Sequence, residues 1–100
     1  MSRGQEDSSW TFLTNHAQVL LAIARNPDVR LRDLAGHVGI TERAAQRIVA
    51  DLVDAGYVKR LRVGRRNNYT INPRAEMRHE AQEGHPVGEL LKLVQLPDRA

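Results

Sequence analysis

The chain has 100 residues, and its 15 Lys and Arg against 12 Asp and Glu give a formal net charge of +3. This length has room for one domain with short tails, and 41% hydrophobic residues suit a globular fold rather than a disordered one. The lack of cysteine excludes disulfides, thiolate metal sites and thiol catalysis. A polar N-terminus and the absence of any apolar run of about 18 residues argue against secretion and membrane insertion, so we expect a cytoplasmic protein that does not bind a membrane.

The positive charge is concentrated in one segment. Residues 57–72 contain five basic residues and no acidic one, whereas the rest of the chain is close to neutral. Such a concentration is typical of a surface that binds a polyanion. The alternative is a basic hairpin that is merely solvated. The five residues are Lys59, Arg60, Arg62, Arg65 and Arg66.

The first predicted elements are a disordered tail and a helix. Residues 1–9 are rich in Ser, Gly and acidic residues and predict a disordered tail. A broad apolar band over 15–25 predicts the first helix, with Thr14 or Asn15 as its N-cap. The Asn26-Pro27 step ends this helix, because the residue before proline disfavours the helical region.

Two more helices follow, after a possible minor strand at 29–31. A short helix is predicted over 32–38, and Gly39 suits the left-handed position after it. Thr41 is a good N-cap for a third helix over 42–55. Its apolar residues recur at the spacing of one buried helix face; they are Ala45, Ile48, Val49 and Leu52.

A β-hairpin and a last helix complete the predicted elements. Residues 57–63 are rich in strand formers, 64–68 predict a five-residue turn, and 68–72 predict the return strand. We expect Arg60 to pair with an acidic group such as Asp51 or Asp54.

After the hairpin, residues 74–86 are mixed and polar, and 87–96 recover the pattern of a short amphipathic helix. Such a helix is marginal by itself and must pack on something. The predicted organisation is therefore a domain over 10–73 and a C-terminal extension over 74–100. The fold class is α+β and mostly α, with a three-helix core, a β-hairpin and a C-terminal helix.

The segment from the second helix to the hairpin resembles a known family. Leu34-Ala35, Gly39-Ile40-Thr41, the step 55–58 (Ala-Gly-Tyr-Val) and Gly64-Arg65-Arg66 are similar to the winged helix-turn-helix of MarR-like and ArsR-like bacterial transcription regulators. The resemblance covers about residues 10–72. The flanking helices are shorter than is typical of MarR-like proteins, and the lack of cysteine departs from the thiolate-based ArsR-like metal sensors.

The resemblance implies a homodimer that binds double-stranded DNA in a sequence-specific way. The recognition helix, 41–55, would enter the major groove, and the wing, 59–70, would contact flanking backbone or the minor groove. The alternative from a different class is a winged-helix module that binds another protein without reading DNA, because one fold serves many functions.

The chemistry of the third helix agrees with DNA readout. Arg43 and Arg47 are four residues apart on one face, and arginine can bond guanine bidentately. Gln46 can do the same with adenine, and Ala44 can approach a thymine methyl group. The alternative is a solvated helix face. The candidate DNA-binding residues here are Thr41, Glu42, Arg43, Ala44, Gln46 and Arg47.

The wing supplies a second set of candidates. Arg65 and Arg66 would reach phosphates or a narrow minor groove. Side chains alternate along a strand, so the basic residues of the first strand cannot all face one ligand. At least one of the two asparagines is more simply explained as a turn former. The candidates are Lys59, Arg62, Arg65, Arg66, Asn67 and Asn68.

A dimer surface is predicted at the two ends of the domain. Trp10 and Phe12 lie next to the tail, where we expect them to dock on the body or on a second subunit. With no second domain, the pocket of any small-molecule effector would lie at the dimer interface. The predicted dimer residues are Trp10, Phe12, Leu20, Val87, Leu90, Leu91 and Val94.

No enzyme activity, metal site or cofactor is predicted. The chain has no Gly-x-Ser-x-Gly elbow and no Gly-Lys-Ser phosphate loop. His79, Glu83 and His85 are close in sequence, but Gly84 interrupts any helix that would align them as ligands, so we interpret them as surface residues. His16 is expected to be partly buried near the start of the first helix.

Overall fold

Three helices, a two-stranded hairpin and a fourth helix follow one another in the computed structural model, which describes residues 10–94. This is the predicted winged helix-turn-helix arrangement. The predicted tail 1–9 and the end of the predicted last helix, residues 95–96, lie outside the described residues. Over 10–94, no helix is both long and apolar enough to cross a bilayer. The elements are α1 (Asn15–Arg25), α2 (Leu31–Val38), α3 (Glu42–Asp54), β1 (Val58–Val63), β2 (Arg66–Ile71), a 3-10 turn (Glu80–Gln82) and α4 (Val87–Val94).

Side-chain caps and one glycine set the helix boundaries. The Thr14 hydroxyl accepts a hydrogen bond from the Ala17 N–H at 3.1 Å, and the Thr41 hydroxyl accepts one from the Ala44 N–H at 3.0 Å. Gly39 follows α2 with φ 85°, a conformation that glycine adopts without a steric cost. The predicted caps and the predicted left-handed position are confirmed.

The start of α2 differs from the prediction. Leu31 is its first residue, and no strand is present at 29–31 among the described residues. Val29 is instead buried, and its N–H donates to the Asn26 carbonyl at 3.0 Å. In a strand, the Val29 N–H would donate to a neighbouring strand; here this hydrogen bond within the turn satisfies it instead.

The core lies between the three helices and the base of the hairpin. The largest fully buried side chains are those of Val19, Ile23, Leu34 and Val49. Tyr57 and Tyr69 close the core on the hairpin side, and α4 adds to it from the end of the chain. The predicted inward face of α3 is confirmed, because its four predicted residues are all buried.

The hairpin turn is tighter than predicted. Val63 pairs with Arg66, which leaves only Gly64 and Arg65 in the turn. Gly64 has φ 63°, and a positive φ at the first of two central residues is what a type II′ hairpin turn requires. The predicted five-residue turn at 64–68 is therefore wrong: 66–68 belong to β2, and Arg65 alone carries charge at the tip.

The N-terminus of α4 is fixed to the end of the hairpin. The Gly88 N–H donates to the Pro73 carbonyl at 2.9 Å, and the Val87 N–H donates to the Ala75 carbonyl at 2.7 Å. A Cβ atom on Gly88 would lie 2.8 Å from the Pro73 carbonyl oxygen. Only glycine allows α4 to approach this closely.

We expect Gly88→Ala to lower the free energy of unfolding by about 1–3 kcal/mol, because the added methyl group must displace backbone. Gly36→Ala is the matched control: Gly36 is helical, with nothing within 4 Å of an added Cβ. That change should stabilise the protein by about 0.5–1 kcal/mol. Urea denaturation measures both values, and equal effects of the two substitutions would contradict the close packing at Gly88.

Candidate nucleic-acid interface

The N-terminal half of α3 presents a polar face to solvent. Arg43, Gln46 and Arg47 are exposed, whereas Ala45 on the opposite face is buried. Among residues 10–94, neither Arg43 nor Arg47 makes a salt bridge, so both guanidinium groups are available to a ligand. Of the other predicted contacts on this helix, Thr41 and Glu42 are exposed and Ala44 is half-buried.

The turn between α2 and α3 holds the two helices together. The Gly39 N–H and the Ile40 N–H both donate to the Ala35 carbonyl, at 2.8 and 3.0 Å. Ala35 is buried, and Ile40 packs against the core. An exposed contact of 3.9 Å between Arg32 Nε and Glu42 Oε2 also spans the turn. The predicted Glu42 is thus partly engaged by α2.

The hairpin divides its polar residues between two faces. Because Tyr69 is buried and pairs with Arg60, and Arg62 pairs with Asn67, these side chains share the face that meets the helices. The predicted contacts Lys59 and Asn68 lie on the opposite face, together with the exposed Leu61 and Val63. The structure therefore separates the predicted wing residues into two sets.

Arg66 attaches the hairpin to the helices. Its Nη2 atom donates to the Asp28 carbonyl at 2.7 Å and lies 3.8 Å from Asp28 Oδ2. The Tyr69 N–H donates to the Pro27 carbonyl at 2.8 Å, so β2 is bonded to the α1–α2 loop at two points. Arg66 thus fixes the position of the wing. Arg65 lies at the tip of the hairpin and, among the described residues, has no acidic partner.

A notch of about 360 Å³ opens between the start of α2, the exposed side of α3 and the inner face of the hairpin. Arg30 and Arg60 line it, although neither is among the predicted DNA-binding residues. The expected pairing of Arg60 with Asp51 or Asp54 is wrong. Asp51 instead accepts a hydrogen bond from His16 Nε2 at 2.8 Å, and both of those side chains are half exposed.

A larger cleft of about 430 Å³ lies on the other side of the domain, between α1, the end of α3 and the start of α4. Its lining is mainly apolar, with Leu20, Leu52 and Met77 contributing. Arg78 and the His16–Asp51 pair add polar groups to its wall. His16 lies at this rim with its side chain half exposed.

The predicted dimer residues fall into two groups. Leu20, Val87 and Leu91 are buried in the core of the chain itself, so they offer little surface to a second subunit. Leu90 is half-buried in the cleft wall, and the side chain of Val94 lies outside the described part.

Trp10 and Phe12 remain open to solvent, 68% and 92% exposed. Their rings contact each other edge to face, with centroids 5.2 Å apart. The prediction that these aromatics dock on the body of the same chain is therefore wrong within the described residues. A second subunit remains the predicted partner for them.

The C-terminal histidines make local contacts. His79 Nδ1 accepts a hydrogen bond from the Ala81 N–H at 2.9 Å, and His85 Nδ1 lies 2.9 Å from Glu89 Oε1. Within 10–94, no three His, Asp or Glu side chains come close enough together to hold a metal ion.

The three-helix core, the tight turn before α3 and the basic hairpin after it define a winged helix-turn-helix protein. The sequence model of the MarR family matches residues 11–66, which is more than half of the chain. The chain belongs to the MarR family, and the MarR part of the sequence resemblance is confirmed. Members of this family are transcription regulators, in agreement with the prediction that the chain is not an enzyme.

Solved structures with a similar fold include two bacterial regulators. The MarR family protein Rv2887 of Mycobacterium tuberculosis, in complex with salicylic acid, is 26% identical with a TM-score of 0.57, over 82% of this chain and 57% of that one. The PcaV transcriptional regulator of Streptomyces coelicolor, with its natural ligand, is 19% identical with a TM-score of 0.53, over 88% and 64%. This chain thus spans about three fifths of the length of either protein. No curated protein sequence gives a significant match.

Proposed function

We propose that the protein is a transcription regulator that binds double-stranded DNA in a sequence-specific way. The observation that supports this most directly is the exposed polar face of α3 beside a basic hairpin, in a chain of the MarR family. The recognition helix, 41–55, enters the major groove, and the wing, 59–70, contacts backbone or the adjacent minor groove.

Side chains from the first two turns of α3 contact the bases. Arg43 and Arg47 project from one face, and each guanidinium can bond the O6 and N7 atoms of a guanine. Gln46 stands beside them and can bond adenine through N6 and N7. The Thr41 hydroxyl already accepts a hydrogen bond from Ala44, so its contribution is to begin the helix at the point where it meets the groove.

The wing contributes affinity rather than base choice. Arg65 lies at the tip, where a two-residue turn holds it at the far end of the hairpin. A positive side chain at this position suits the negative potential of a phosphate backbone or a narrow minor groove. Arg66 supports this contact indirectly, because it fixes the hairpin to Asp28.

We expect Arg65→Ala to weaken binding to all duplexes alike and to reduce the slope of log K against log salt by about one unit. Binding of a random duplex at low salt, followed by its release near 0.2–0.3 M salt, measures this slope. Arg74→Ala removes one exposed charge outside the interface and serves as the control, with a slope equal to wild type. Failure of the wild-type protein to retain duplex at low salt would contradict the proposed function.

A second copy of the chain is the proposed partner for the exposed aromatic pair. Trp10, Phe12 and the 78%-exposed Leu93 are large apolar side chains on the two segments that end the described structure. If these three side chains were buried against the same surface of a second copy of the chain, the dimer would have the two-fold symmetry that a palindromic DNA site requires. Sedimentation equilibrium of the wild type and of Trp10→Ala tests this dimer.

The apolar cleft is the proposed place for a small-molecule effector. The two similar structures named above each carry a ligand, salicylic acid in one and a natural ligand in the other. Here the apolar wall with Arg78 at its edge suits a small apolar acid.

We expect millimolar salicylate to raise the midpoint of thermal unfolding of the wild type, and we expect Arg78→Ala to reduce that shift. No shift in the wild type would contradict an aromatic acid as ligand.

The alternative function, a protein-binding module that does not read DNA, draws on the same exposed aromatic pair. Recovery of a partner protein after DNA digestion, together with no retention of duplex at low salt, would favour this alternative.

A further inference from the structure

The notch between the helices and the wing is unusually basic. Four arginines from three parts of the chain line it: Arg30, Arg60, Arg65 and Arg66. Asp28 is the acidic residue among its lining groups, and it already contacts Arg66. Within the described residues, Arg30, Arg60 and Arg65 make no salt bridge, so three of the four lining arginines have no carboxylate partner from the protein.

The position of the notch follows from the docking of α3 and the wing. If α3 occupies the major groove and the tip with Arg65 occupies the neighbouring minor groove, the backbone that separates the two grooves must pass between them. The notch lies between these elements, and Gln46 and Tyr69 are among its lining residues. A phosphodiester backbone carries one negative charge per nucleotide, which is opposite in sign to the net charge of the lining.

We propose that this notch binds one backbone phosphate of the duplex, held by Arg30 and Arg60. Arg30 precedes α2, and its side chain makes no capping hydrogen bond, so it is available to a ligand. Arg60 lies directly across from the buried Tyr69, which fixes the strand at that point. The planar guanidinium group bonds phosphate through two N–H groups at once. This inference rests on the proposed DNA binding and adds two contacts to it.

The first test compares salt dependence in four variants. Arg30→Ala and Arg60→Ala should each reduce the salt slope, by at most about one unit because they share one phosphate, and should each weaken binding roughly five- to tenfold at 0.1 M salt with base preference unchanged. Arg60→Lys keeps the positive charge and should keep the slope close to wild type. Arg74→Ala, which removes an exposed charge outside the notch, should leave both affinity and slope unchanged.

The second test locates the contact on the DNA. A duplex with a single neutral methylphosphonate between the α3 contacts and the wing contacts should bind wild type more weakly than the unmodified duplex. For Arg60→Ala the same replacement should cause a smaller further loss, because one of the two charge partners of that phosphate is already absent. Equal losses for both proteins would show that Arg60 does not contact that phosphate.

The outcomes separate this inference from the function on which it rests. Wild-type slopes for Arg30→Ala and Arg60→Ala, with Arg65→Ala still weakened, would overturn the phosphate site and leave DNA binding intact. No duplex binding by the wild type would overturn the proposed function itself. The Arg30 side chain makes no capping hydrogen bond, and Arg60→Lys keeps an aliphatic stem and a positive charge at position 60. We therefore expect the midpoint of thermal unfolding of the Arg30 and Arg60 variants to match wild type. A matching midpoint excludes misfolding as the cause of weaker DNA binding.

Discussion

Replacement of Arg43 or Arg47 by alanine should weaken binding to the preferred duplex by about 1–3 kcal/mol, which is roughly five- to 150-fold. Each variant should also lose preference at one base pair, because the removed guanidinium no longer distinguishes guanine. Both side chains are exposed on α3, and neither makes a salt bridge within residues 10–94, so the loss belongs to the DNA contact and not to the fold. Titration of the preferred duplex and of single-base variants measures both effects.

Arg47→Lys separates charge from readout at the same position. Lysine keeps the positive charge but lacks the planar fork that bonds two guanine atoms. We therefore expect a salt slope close to wild type and a reduced preference for the preferred base pair. If Arg43→Ala and Arg47→Ala keep the wild-type order of preference among duplexes, α3 does not read bases through these residues.

The second large effect concerns stability. Leu34 is fully buried between the helices, and Leu34→Ala should lower the free energy of unfolding by about 2–5 kcal/mol through lost burial and the cavity that remains. A domain of this size has only about 5–15 kcal/mol in total, so much of its stability would disappear.

Leu93→Ala is the matched control, because the same substitution is made at a side chain that is 78% exposed. Its unfolding free energy should stay within about 0.5 kcal/mol of wild type at concentrations where the chain is monomeric. Urea denaturation of both variants supplies the comparison, and similar losses at the two positions would contradict the placement of Leu34 in the core.

The helical part of the fold could be predicted because its determinants are local. Thr41 caps the helix that begins one residue later, Gly39 permits the left-handed turn before it, and the apolar spacing of α3 defines its buried face. These signals lie within a few residues of the structure that they specify. The candidate recognition face followed directly, since it is the side of α3 opposite that apolar stripe.

The side-chain contacts between residues far apart in the chain could not be read from the sequence. Arg66 and Asp28 are 38 residues apart, and His16 and Asp51 are 35 apart. Charge pattern alone does not show which of several arginines meets which acidic group, because that depends on how the loops pack. The predicted five-residue turn is wrong for a related reason: Gly64 permits a two-residue turn, but only the register of the strands shows that it is used.

Selection of duplexes from a random pool by the wild-type protein tests the central claim most directly. The proposed homodimeric regulator should enrich one motif of two inverted half-sites, with centres roughly 34 Å or about 10 base pairs apart, or a multiple of that spacing. The Arg43→Ala and Arg47→Ala proteins should lose the enriched bases at the positions that each arginine contacts. A folded wild-type protein that enriches no motif over the starting pool would contradict sequence-specific DNA recognition.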